Sequence, residues 1–125
     1  MPSSIKRILV ADDERVIADT LAAILRQVGY DVYAVYGGVD AVAKAQELRP
    51  ELVISDVMMA DMNGIDAAIE IRKQLPTTKI LLFSGHAATA GLLDKAREQG
   101  HEFAFLSKPV HPNDLLNALS KASDK

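Results

Sequence analysis

Five short apolar runs, each followed by a helical pattern and a stop, constrain this chain more than any other feature. Residues 5–11, IKRILVA, form a β-branched run, and Ile17, Leu21, Ile24, Leu25 and Val28 then recur at helical spacing before Gly29. The unit repeats: DVYAVY (31–36) precedes a helical Val39–Leu48 closed by Pro50, and ELVIS (51–55) precedes Ile65, Ala68, Ile69 and Leu75 closed by Pro76. KILLF (79–83) leads into an alanine-rich helix ending near Gly100, and FAFLS (103–107) leads into PNDLLNALSKA. Runs 8–10, 52–54 and 80–83 are continuously apolar rather than alternating, the pattern of parallel strands covered on both faces. The fold class is therefore α/β, a doubly wound parallel sheet with helices on both sides.

The 125 residues suffice for one domain, which at this size buries roughly two-thirds of the surface its unfolded chain exposes. No linker or low-complexity stretch divides the chain, so residues 1–125 read as one domain with a core of about 5–122 and no output domain. Apolar residues are 49%, charged residues 25% and the net charge −3, the balance of a globular protein rather than a disordered or polyanion-binding one. Nucleic acid is not expected as a direct partner. Without cysteine there is neither a disulfide framework nor a thiolate metal site, and a reducing compartment is compatible. No segment approaches the ~20 apolar residues that cross a bilayer, and MPSSIKR lacks the apolar core of a signal peptide. The expectation is a soluble cytoplasmic protein with no membrane association.

In a doubly wound sheet, ligands bind outside the carboxyl ends of the strands, where strand order reverses. The first strand ends in Asp12, Asp13 and Glu14, the third in Asp56, the fourth in Ser84 and the fifth in Lys108-Pro109. Carboxylates brought together repel unless a cation neutralises them, and all-oxygen ligation suits Mg²⁺, with Mn²⁺ as the alternative. Asp56 beside such an ion can act as a nucleophile towards phosphorus. Phosphoryl transfer depends mainly on positioning and on neutralising the equatorial oxygens, for which Lys108 and Ser84 supply an ammonium and a hydroxyl.

ILVADDE, LVISDVMMADMNG, ILLFSG and LSKP, in that order on successive strand ends, resemble the response-regulator receiver domains of two-component signal transduction, the CheY-like superfamily, over essentially the whole chain. The resemblance implies a single (βα)₅ flavodoxin-like sandwich with strand order 2-1-3-4-5. It implies that Asp56 is the phospho-acceptor, that Asp12 and Asp13 hold Mg²⁺ with Asp13 the direct ligand, and that the Met58 backbone carbonyl completes the protein's share. Lys108 would pair with Asp56 and then with the phosphoryl group, while Ser84 turns inward to it and Phe105 swings as the aromatic switch. Lys108-Pro109 matches the family's cis peptide, which X-Pro bonds tolerate at about 0.5–1 kcal/mol. The implied function is a phosphorelay receiver rather than an enzyme acting on other substrates: it catalyses only its own phosphorylation and dephosphorylation. Its partners would be a sensor histidine kinase or histidine phosphotransfer protein and an unknown downstream effector, met through the fourth helix, fifth strand and fifth helix. The oligomeric expectation is a monomer or a weak phosphorylation-dependent dimer.

Three positions depart from the family pattern. Ala60 stands where proline usually follows the acceptor by four residues, which removes a stiff turn; Ser84 replaces the commoner threonine; and the Gly100–Lys108 spacing is one residue longer than usual. Met58, two after the acceptor, cannot hydrogen-bond an attacking water as an amide or carboxylate would, so slow self-dephosphorylation is expected, with His86 acting the other way. Taken singly, each acid also reads as a turn or cap residue, Ser84 as a strand-end polar residue and Phe105 as a core aromatic. Glu14 reads as charge at a helix start, Met58, Met59 and Met62 as packing and loop filler, Gly64 as relief of backbone crowding, and Asp61 as loop charge. His86, His101 and His111 have no spacing that implies a metal site. An aspartate-nucleophile phosphatase would need a cap domain for which there is no room, and a mononucleotide-binding flavodoxin-like module would need a glycine-rich loop where ADDER stands.

Overall fold

The computed structural model describes residues 6–84, 89–100, 103–107 and 112–123. Strand and helix alternate throughout: β1 (Arg7–Ala11), α1 (Arg15–Val28), β2 (Asp31–Val35), α2 (Gly38–Leu48), β3 (Leu52–Asp56), α3 (Gly64–Gln74), β4 (Lys79–Ser84), α4 (Thr89–Glu98), β5 (Ala104–Ser107) and α5 (Pro112–Ser123). The five strands form one parallel sheet in the order β2-β1-β3-β4-β5, as the resemblance implies. Asp56 lies opposite Phe83 and Ser84 opposite Ser107, so the last residues of the inner strands share one rim.

The continuous apolar runs follow from the pleat, because successive side chains leave a strand on opposite faces and here both faces are covered. Leu9, Val53 and Leu82 enter one core with Ala41 and Ala45 of α2 and Ala68 and Ile71 of α3. Ile8, Val10, Ile54 and Phe83 enter the other with Leu21 and Leu25 of α1 and Leu115 and Leu119 of α5. Every residue of β3 is buried. Each fully buried leucine or isoleucine contributes roughly 1.5–3 kcal/mol, so β3 is the strand least free to shift, and Asp56 is carried at its end.

Helix ends match the stop signals. Gly29 takes φ 111° and closes α1, with its amide donating to the Arg26 carbonyl and the Tyr30 amide to that of Leu25. Several boundaries shift by one residue from the sequence expectation. The third strand includes Asp56, because pairing with β4 continues to Phe83. The second stops at Val35, whose carbonyl accepts from the Asp12 amide as the chain turns away. Helix α2 begins at Gly38 rather than Val39, for a reason that lies in the loop after β3 and is given below. Ile5, expected in the first strand, lies outside the described residues.

Candidate functional site

Beyond Ala11, the last residue of β1, the chain buries Asp12 completely and leaves Asp13 exposed. Asp12 Oδ1 accepts the Glu14 amide at 2.9 Å, an Asx-type turn that folds the chain back into α1. Asp56, at the end of β3, is only 3% exposed, and its Oδ1 accepts the Met58 amide at 3.2 Å. Asp13 Oδ2 accepts the Ala60 amide, also at 3.2 Å. Carboxylate oxygens of Asp12, Asp13 and Asp56 all lie within 4.8 Å of one another. Buried carboxylates are unfavourable unless hydrogen-bonded or paired, and backbone amides supply part of that compensation here. Such a donor set is all oxygen and negatively charged, which fits a hard divalent cation.

Ser84 ends β4 on the same rim and is 3% exposed. Phe105 lies mid-strand on β5 opposite Leu82, and at 37% exposure it is half out in solvent in this conformation. Glu14 occupies the N-cap position of α1, where its side chain makes no cap hydrogen bond, and it is not part of the carboxylate cluster. Met59 is buried in the core and Met58 exposed. Lys108, Pro109, His86, His101 and His111 lie outside the described residues. The structure therefore brings Asp12, Asp13 and Asp56 together and sets Ser84 on their rim.

Gly64 is where α3 starts against the backbone of Asp56. A Cβ there would sit 2.0 Å from the Asp56 carbonyl oxygen, an impossible contact, and the Gly64 amide donates to the Val57 carbonyl at 2.7 Å. The crowding expected at this glycine is real, and its source is the backbone of Asp56.

Asp61 requires a correction: it is not merely loop charge. Its Oδ1 accepts from the Gly38 amide at 2.9 Å and its Oδ2 from the Val39 amide at 3.1 Å, capping α2 from a loop more than twenty residues away in sequence. Those two amides hold its carboxyl below the ordinary carboxylate range. This is also why the helix extends back to Gly38. The clue in the sequence was a helix start lacking Ser, Thr, Asp or Asn, with Gly37 and Gly38 instead. Nothing local says which residue fills the gap.

The chain matches the response regulator receiver domain family over residues 8–120. It is 35% identical over 119 residues to the chemotaxis protein CheY of Thermotoga maritima, covering 94% of this chain and 98% of that protein. The transcriptional regulatory protein PdtaR of Mycobacterium tuberculosis is 38% identical over 120 residues, which are 94% of this chain but 56% of PdtaR. Among solved structures, a CheY-like receiver domain protein from Methanospirillum hungatei superposes with a TM-score of 0.87 at 29% identity, over 97% of this chain and 95% of that one. The chain belongs to the response regulator receiver domain family. Within two-component signalling it is a phosphorelay response regulator. No helix among the described residues is long and apolar enough to cross a membrane.

Proposed function

We propose that Asp56 is the phospho-acceptor and that its carboxylate takes the phosphoryl group from a phosphohistidine of a sensor histidine kinase or histidine phosphotransfer protein. The carrying observation is the convergence of Asp12, Asp13 and Asp56 within 4.8 Å at the ends of β1 and β3. A carboxylate oxygen of Asp56 forms the new O–P bond while the P–N bond to the donor imidazole breaks, and the electron pair returns to that nitrogen. The Met58 amide, on Asp56 Oδ1, orients the carboxylate for that attack. Asp12, Asp13, Asp56 and the Met58 carbonyl would hold Mg²⁺, or Mn²⁺ in its place, which when bound neutralises the clustered charge and the transferring oxygens. Lys108 and Ser84 serve the other side of the phosphoryl group. The only reactions catalysed are the chain's own phosphorylation and dephosphorylation, in the cytoplasm.

Phosphorylation adds roughly −1.5 to −2 charge at neutral pH, which biases Ser84 inward and Phe105 with it, and so reshapes the face of α4, β5 and α5 for a downstream partner. The test is incubation with Mg²⁺ and acetyl phosphate or phosphoramidate, followed by intact mass. A gain of one HPO₃ that disappears in Asp56→Asn is expected; no gain, or one that survives the substitution, removes the assignment. The exposed Met58 thioether is a weak hydrogen-bond acceptor and cannot place an attacking water, so Met58→Asn should release phosphate several-fold faster. His86, two residues after Ser84, would act the other way through contact with the phosphoryl group or water.

A further inference from the structure

Helix α2 has no capping side chain of its own, since Gly37 stands at its N-cap. The first amides of a helix lack intrahelical partners, and Asp61 takes two of them, at Gly38 and Val39. The approach is so close that both glycines are needed for it. A Cβ on Gly37 would lie 2.8 Å from Asp61 Oδ2, and one on Gly38 would lie 2.8 Å from the Met62 backbone oxygen.

The loop fastened in this way, residues 57–63, also supplies the amides that hold the carboxylate cluster. Met58 donates to Asp56 and Ala60 to Asp13. Ala60 can donate only because it is not proline, which has no N–H. One residue beyond that donor, the Asp61 carboxylate is anchored to α2, an element that contributes nothing to the cluster. We propose that Asp61 is a positioning residue for the divalent-cation site: its double hydrogen bond to α2 fixes the loop whose amides aim Asp13 and Asp56. Asp61 does not touch the cation or the reacting atoms. Ala60, where the family pattern has proline, is thereby compensated, because a bond to α2 replaces the stiffness of a ring. The inference rests on reading Asp12, Asp13 and Asp56 as the cation site.

The test separates positioning from simple helix capping. Mg²⁺ is titrated calorimetrically into wild type, Asp61→Ala, Asp61→Asn and the double variant Asp61→Ala/Gly37→Ser, and each is also followed by thermal unfolding and by hydrogen exchange at the Ala60 amide. Serine at 37 gives α2 a cap of its own, and its Cβ is accommodated because the Asp61 carboxylate it would strike is gone. Asp61→Ala should weaken Mg²⁺ binding about tenfold, the lower end of the loss usual when a group orienting a metal ligand is removed. Asp61→Asn, with one acceptor oxygen left, should fall between. The double variant should regain thermal stability while its Mg²⁺ affinity and Ala60 protection stay as low as in Asp61→Ala. Wild-type affinity in Asp61→Ala, or affinity that returns together with stability in the double variant, overturns the proposal. Should Asp61→Ala fail to fold, an unchanged affinity in Asp61→Asn overturns it and a lowered one supports it. A wild type that binds no Mg²⁺ removes the cation-site reading itself and this inference with it.

Discussion

The two ends of the sheet handle their acids in opposite ways. At the amino end, Glu51 precedes β3 and its Oε1 accepts the amides of Lys6 and Arg7, at 2.9 and 2.7 Å, while Arg7 lies 3.8 Å from Asp31. Each acid there joins neighbouring strands through a donor or a cation of the adjoining chain. At the carboxyl end, three carboxylates crowd within 4.8 Å, two of them buried, and amides of the loop after β3 hold two of the three in place. The amino end is arranged for stability. The carboxyl end brings like-charged groups together, an arrangement that is unfavourable by itself and that the cation proposed above would relieve.

The sharpest break of this contrast is at the glycines. Gly64→Ala should destabilise by about 3 kcal/mol, because its Cβ meets the Asp56 backbone rather than a side chain that can move aside. At the amino end, Gly29→Ala meets nothing within 4 Å and suffers only its positive φ, so about 1 kcal/mol is expected. Urea unfolding of both variants decides; equal losses would mean that the carboxyl rim is no tighter than the other end.

Removing an acid should then have opposite signs at the two ends. In metal-free buffer, Asp13→Asn should stabilise by about 1 kcal/mol through lost repulsion, and Mg²⁺ should cancel the gain. Glu51→Ala should destabilise by about 1 kcal/mol, because two amides lose their acceptor. Denaturation with and without Mg²⁺ measures both, and a destabilised Asp13→Asn in metal-free buffer would break the comparison.

The smallest effect concerns Asp61. Its carboxyl is held below the ordinary 3.8 by the amides of Gly38 and Val39, so the stability it adds is fully present above that value and is lost as pH falls through the folded one. Stability should therefore decline less steeply between about pH 5 and pH 3 in Asp61→Asn than in wild type. Parallel slopes would show that these hydrogen bonds do not favour the charged form.

Much of this was legible in the sequence, for a physical reason in each case. The β-branched runs and their stops are local patterns, and the doubled faces of the sheet follow from runs without alternation, as Leu9 and Val10 show by entering different cores. Asp12, Asp13 and Asp56 could be placed on one rim because parallel strands end on the same side. One-residue boundary errors at Asp56 and Gly38 arose because pairing and capping depend on partners distant in the chain. Asp61 was misread for that reason: its role depends on the path of a loop, and its own neighbours in sequence say nothing of Gly38.

By itself, then, the sequence determined the alternation of five strands and five helices, the strand ends that carry chemistry and the receiver motifs set on them. Periodicity and strand direction are properties of short segments, and short segments are what a sequence displays. The tertiary structure alone decided which amide holds which carboxylate, why Gly64 must have no Cβ, and that Asp61 reaches α2. Apart from the local Met58–Asp56 bond, those hydrogen bonds span 2.9–3.2 Å between segments that only the packed sheet brings together, and no local pattern encodes them.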